Sequence, residues 1–169
     1  MQRIAIVGCS GGGKSTLARA LGARLGLPVV HLDTLFWKPG WTESPIEEFQ
    51  PRVEAAALGD RWIIEGNFTS ASQLRFLRAD TVVWIEPPIW LCLWRALIRM
   101  LVNFGRTRAD LAPECPERFD LAFYQYIWSW NSANRPKMAR ALAEFAPNAR
   151  LVRLANDADK ARFLAGVEP

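Results

Sequence analysis

The residues Gly8-Cys9-Ser10-Gly11-Gly12-Gly13-Lys14-Ser15 follow the spacing G-x-x-x-x-G-K-[ST] and stand directly behind an apolar run, Ile4-Ala5-Ile6-Val7. Glycines without a Cβ let the backbone take positive φ and turn successive N–H groups onto anionic oxygens. A helix beginning near Gly13 adds the field of its N-terminus. In such a loop the lysine reaches the β and γ phosphates as a point charge, and the hydroxyl of Ser15 completes the shell of a Mg²⁺ ion held mostly by water and phosphate oxygens. The spacing therefore predicts ATP and Mg²⁺ as cofactors, bound by Gly8, Ser10, Gly11, Gly12, Gly13, Lys14, Ser15 and Thr16. Cys9 reads as a small filler of the loop.

Two acids and a group of arginines are the other candidates. Asp33 ends a predicted strand in His31-Leu32-Asp33. There a carboxylate can hold a metal-bound water or accept the proton of an acceptor hydroxyl; a capping or turn aspartate is the plainer alternative. His31, on the same face, is either an acceptor contact or a hydrogen-bonded strand histidine. Glu86 closes Val82-Val83-Trp84-Ile85, where an acid commonly holds a metal-bound water, so the metal candidates are Ser15, Asp33 and Glu86. Arg95 and Arg99 lie four apart and share a helix face. Arg106, Arg108 and Arg118 fall in residues 103–120, a stretch without apolar periodicity that reads as a mobile lid. Arginine forks stabilise the charge spread over a transferring phosphoryl group, which makes Lys14, Asp33, Arg99, Arg106, Arg108 and Arg118 the candidate catalytic set. Arg135, before Pro136, is a further candidate.

The elements that must position these residues follow from the hydrophobic pattern. Strands are expected at 3–7, 29–32, 62–64, 81–85 and 150–154, and helices at about 14–25, 45–58, 70–78, 89–102, 121–130, 136–145 and 158–165. Ser44-Pro45-Ile46-Glu47 carries the marks of a capping box with proline at the first helical position. Strands alternating with helices imply an α/β fold, a five-stranded parallel sheet with helices on both faces and right-handed crossovers. Ligands in such sheets bind beyond the carboxyl ends of the strands, which marks Gly8, Asp33, Glu65-Gly66-Asn67, Glu86 and Asn156. One domain is expected, with a core of about 1–102 and 131–169 and a lid-like, arginine-rich helical insertion at about 103–130.

Of the 169 residues half are hydrophobic, the net charge is +4, and there are 8 tryptophans and 3 cysteines. No apolar run reaches the roughly 20 residues of a membrane span, and Met1-Gln2-Arg3 leads straight into a strand, so a cytoplasmic protein without a membrane partner is expected. The cysteines form no C-x-x-C pair, and neither a disulfide framework nor a zinc site is indicated. The tryptophans read mostly as core or wall. A pI near 9.3 suits either nucleic acid or a phosphate-handling site, and no nucleic-acid recognition motif is present.

Together these residues resemble the nucleoside monophosphate kinase branch of P-loop kinases, adenylate kinase above all. They resemble more closely the bacterial adenylate-kinase-related proteins often labelled DNA topology modulation protein. The resemblance runs through Gly8 to Thr16, His31-Leu32-Asp33-Thr34-Leu35-Phe36-Trp37 with Pro39-Gly40-Trp41, Trp62-Ile63-Ile64-Glu65-Gly66-Asn67-Phe68, Trp90-Leu91-Cys92-Leu93-Trp94-Arg95 and Cys115-Pro116-Glu117-Arg118-Phe119-Asp120. It implies a P-loop NTPase fold, with Arg95 at the base of the donor nucleotide, Arg99 on its phosphates, and Arg106, Arg108 and Arg118 in the lid. The chain departs from adenylate kinases at Glu65-Gly66-Asn67-Phe68, where Asp-Gly-Phe-Pro-Arg would stand, and has Glu65 and Glu86 where the closer family usually has aspartate. The expected activity is phosphoryl transfer from ATP to a nucleoside monophosphate or similar small acceptor. A shikimate- or gluconate-type kinase and a nucleotide-gated DNA-binding protein are the alternatives, and the oligomeric state is left open.

Overall fold

A computed structural model describes residues 1–168. Five parallel strands form the main sheet: β1 (Arg3–Gly8), β2 (Val29–His31), β5 (Trp62–Glu65), β6 (Thr81–Ile85) and β7 (Arg150–Leu154), in the spatial order β2-β5-β1-β6-β7. The chain passes from β1 to the edge strand β2, returns to β5 beside β1, and then crosses to β6 and β7 on the other side, so β1 sits at the centre and its carboxyl end opens at the point where the strand order reverses. β1 pairs with β5 through Ile6↔Glu65 and with β6 through Gly8↔Ile85. The α/β fold with a five-stranded parallel sheet is thus as the pattern of apolar runs implies.

Alternation along the strands divides the core in two. Ile4, Ile6, Ile63, Val83 and Ile85 point to one face and pack with Leu17, Ala18 and Leu21 of α1 (Lys14–Leu25) and with Phe163 and Leu164 of α8 (Asp157–Ala165). Ala5, Val7, Trp62, Ile64, Val82 and Trp84 point to the other face. They pack with Phe49 and Val53 of α3 (Ile46–Ala57), Phe76 of α4 (Ser72–Phe76) and Met138 and Leu142 of α7 (Arg135–Phe145). A smaller cluster of Cys92 and Ala96 from α5 (Ile89–Asn103), Ile127 from α6 (Leu121–Trp128) and Trp130 adjoins the loop at Cys9.

Several boundaries differ from the sequence expectation for identifiable reasons. β2 ends at His31, and Leu32 already opens a short helix, α2 (Leu32–Phe36), so Asp33 lies in the first turn of a helix rather than at a strand end. The Trp- and Pro-bearing loop that follows is a hairpin, β3 (Trp37–Lys38) and β4 (Thr42–Glu43), whose turn needs positive φ at Gly40 and Trp41. The capping box at Ser44 does not form: Pro45 takes the cap position without a side-chain bond, and the Ser44 hydroxyl accepts from Arg52 instead. Asn156 caps α8, its side chain accepting from Asp159 N at 2.9 Å. Among the described residues no helix is long and apolar enough to cross a membrane.

Candidate active site

The loop leaves β1 at Gly8 and enters α1 at Gly13, with φ positive at Gly8, Gly11 and Gly13. A Cβ on Gly8 would stand 2.1 Å from the carbonyl oxygen of Ile85, and one on Gly11 2.3 Å from that of Cys92, so the loop is wedged between β6 and α5 where only glycine fits. Gly13 caps α1 without any side-chain bond, and no acid lies in the first turn. The opening N–H groups of α1 therefore have neither a capping side chain nor an acid of their own turn to occupy them, which leaves them open to an anion. Lys14 lies beside them, its Nζ donating to Cys9 O at 3.3 Å. Next to the loop, Lys160 of α8 donates to Gly12 O at 3.1 Å and pairs with Asp157 at 2.5 Å, and Asp157 also holds Arg95. Residues of this kind fit a nucleoside triphosphate, with polyphosphate on Gly8 to Ser15 and Arg95 on the α8 side.

Facing Ser15 is a carboxylate the sequence marks only as a strand end. The Ser15 hydroxyl donates to Glu65 Oε1 at 3.0 Å, and His31 Nδ1 lies 2.6 Å from the same oxygen. Burial works to raise the Glu65 carboxyl, but the bond from His31, the charge of Lys14 and the bond from Ser15 outweigh it and hold it below the usual range. Asp33 behaves oppositely. Burial and the neighbouring charge of Glu65 push its carboxyl up to about 6, against the pull of Lys14 and Arg108. Two nearby carboxyls with values driven apart can divide the work between them, one permanently charged and one exchanging a proton near neutral pH. Among the described residues no cluster of three or more His, Cys, Asp or Glu could hold a metal by itself; Mg²⁺ bound through one hydroxyl or carboxylate, phosphate and water needs none.

Glu86, the other acid expected near the metal, lines a cavity with Cys9 of the loop and is engaged by arginines. It shares strand parity with Val82 and Trp84, lies on the α7 face, and pairs with Arg135 at 2.7 Å and Arg153 at 3.6 Å. Glu65 shares parity with Ile63 and so lies on the α1 face with Ser15. The alternation in Trp62 to Glu65 and Thr81 to Glu86 carries that distinction, but only the packing of α1 shows which face bears the loop.

The segment between α5 and α6 runs beside the loop and Asp33, within reach through Arg108 and Asp110. Bridges Phe104↔Glu117 and Thr107↔Pro116 shape it. It is pinned to the β3–β4 hairpin by Gly40 N donating to Glu114 O at 2.9 Å and Trp41 Nε1 to Pro116 O at 2.9 Å. Arg108 pairs with Glu117 at 2.6 Å and Asp110 at 2.9 Å, and Arg99 reaches the same Glu117 at 3.1 Å. Burial works to raise Asp110, but the charge of Arg108 and the Ser15 hydroxyl hold it below the usual range, so this acid also lies within reach of the loop. Arg99 and Arg108 are thus brought together, whereas Arg106 and Arg118 are exposed, Arg118 lying over the Trp41 ring. Thr16 is exposed as well.

Two further residues have no sequence signal beyond position. Asn67 accepts from Gly8 N at 3.1 Å and donates to the Tyr126 hydroxyl at 3.2 Å, tying the loop to α6. Beneath it the fully buried Arg75 donates to Asn67 O at 3.2 Å; burial pushes Arg75 down to about 9, opposed by the charge of Glu65. The Cys9 thiol is held protonated by its hydrogen bond to Cys92 and by burial, which suits a filler.

No protein-family model and no curated protein matches the chain. Among solved structures, a shikimate kinase from Acinetobacter baumannii in complex with shikimate is similar with a TM-score of 0.60 at 15% identity, covering 98% of this chain and 89% of its own. A shikimate kinase from Bacteroides thetaiotaomicron gives 0.55 at 16% over 97% of each chain. A sugar kinase from Janibacter sp. HTCC2649 gives 0.51 at 16%, over 98% and 93%. The chain has the P-loop kinase fold.

Proposed function

We propose that this protein is a phosphotransferase that moves the γ-phosphoryl group of ATP to a small acceptor, a hydroxylated metabolite or a nucleoside monophosphate. The observation that carries the reading is Lys14 and Ser15 at the open N-terminus of α1, facing the Asp33–Glu65 pair. The glycine loop binds and orients polyphosphate, and Lys14 neutralises charge on the transferring oxygens. When bound, Mg²⁺ supplies the Lewis acidity that draws charge onto the β and γ oxygens; Ser15 would hold it, with Glu65 and Asp33 orienting its water shell. Asp33 takes the proton of the acceptor hydroxyl, and the segment between α5 and α6 excludes water. Arg99 and Arg108 exchange Glu117 for phosphate oxygens.

Two observations support a small hydroxyl acceptor. Asp33 lies in the first turn of α2 while Glu65-Gly66-Asn67-Phe68 stands where an adenylate kinase would have its acceptor signature, and similar folds include kinases of shikimate and of sugars. Incubation with γ-labelled ATP, Mg²⁺ and a panel of nucleoside monophosphates, polyols and shikimate-like acids tests it. Label is expected on one acceptor class, with Lys14→Ala losing at least ~100-fold of the rate while keeping its fold. Full turnover in Lys14→Ala, or label released only as slow free phosphate, would refute the assignment.

A further inference from the structure

Every exposed position of α5 is apolar: Trp90 is 68% exposed, Trp94 57%, Ile98 39%, Leu101 60% and Val102 68%. A surface helix normally turns its charges outward. Here Arg95 and Arg99 are drawn into ion pairs with Asp157 and Glu117, and the solvent side is left as an uninterrupted apolar ridge. Contiguous apolar surface of this extent marks an interaction site.

The ridge has a two-fold pattern of its own. About a centre at residue 96, Trp94 mirrors Ile98 and Trp90 mirrors Val102, so each bulky indole lies opposite a smaller aliphatic side chain when two such helices run antiparallel. An isologous interface requires this kind of self-complementarity. Covering an aromatic side chain removes roughly 150–250 Å² from water. Together the five residues offer on the order of 600 Å², and a symmetric pair would bury on the order of 1,200 Å², the lower edge of specific stable interfaces.

We propose that the occupant of this face is a second copy of the chain, with α5 packed antiparallel on its symmetry mate and Trp94 of one copy against Ile98 of the other. The inference rests on the exposed face of α5 alone and stands independently of the acceptor's identity.

Sedimentation velocity over a wide micromolar range tests it. The wild-type chain is expected to shift from monomer to dimer, and W94E and I98K each to weaken association at least ~10-fold while keeping the wild-type circular dichroism. Because residue 94 faces residue 98 of the mate, an equimolar mixture of W94E and I98K should recover a dimer that neither forms alone. That recovery cannot come from misfolded protein. A wild-type chain monomeric throughout, a W94E homodimer as tight as wild type, or no heterodimer in the mixture would overturn the proposal. Binding of the monomer to anionic phospholipid vesicles would overturn it too, assigning the ridge to a lipid surface.

Discussion

Asp33 and Glu65 show how one small region sets two carboxyls to different tasks. Glu65 receives the hydrogen bonds of His31 and Ser15 and stays charged, while Asp33 has burial and a charged neighbour and is pushed up to about 6. A raised carboxyl favours the folded state in its protonated form. That contribution is complete below the unfolded value near 3.8 and is lost as pH rises through about 6. At pH 7 to 8 Asp33→Asn should therefore stabilise the free protein, by on the order of 2 kcal/mol, in urea unfolding. The same substitution should remove the acidic limb near pH 6 from the profile of kcat/KM and lower activity at least ~100-fold. A variant with wild-type kcat/KM and an unchanged limb would dismiss Asp33 as the proton acceptor.

At the scale of elements, the loop is fixed by the backbone on either side of it. An alanine at Gly8 would meet Ile85 O at 2.1 Å and hold a disfavoured φ of 138°, whereas Gly26, also at positive φ, has open space around its Cβ position. Gly8→Ala should cost about 3 kcal/mol or more and eliminate ATP binding by calorimetry, while Gly26→Ala should cost about 1 kcal/mol and leave binding intact. Equal effects of the two would show that the β1–β6 junction does not shape the loop. Strand parity belongs to this scale as well. It separates Glu65 from Glu86 across the sheet, and it is legible in the alternation of each strand once one face is known to carry α1.

Over the whole molecule, the segment between α5 and α6 is tied to α5 by one buried acid and to the β3–β4 hairpin by the carbonyls of Glu114 and Pro116. Glu117 holds both Arg99 and Arg108, all three less than one-third exposed. Glu117→Gln leaves Arg99 without a carboxylate and Arg108 with Asp110 alone, and should cost about 2 kcal/mol in urea unfolding. ATP with Mg²⁺ should restore a larger share of stability in this variant than in the wild type, because phosphate oxygens take the carboxylate's place. Equal stabilisation by ATP in both proteins would place the two arginines away from the phosphates.

The sequence by itself determined the five parallel strands, the glycine loop and the helix behind it, because strand and helix periodicity and the need for glycine at positive φ are properties of short segments. Asp33 was legible as a candidate from its place after an apolar run, though not its position in a helical turn, since Leu32 satisfies either pattern. Tertiary structure alone decided that Ser15 meets Glu65, that Glu86 belongs to Arg135 and Arg153, and that Arg99 and Arg108 converge on Glu117 while Arg106 and Arg118 face outward. These contacts join residues far apart in the chain. Which partner a charge finds depends on the face each element presents after packing, and no local pattern encodes that choice.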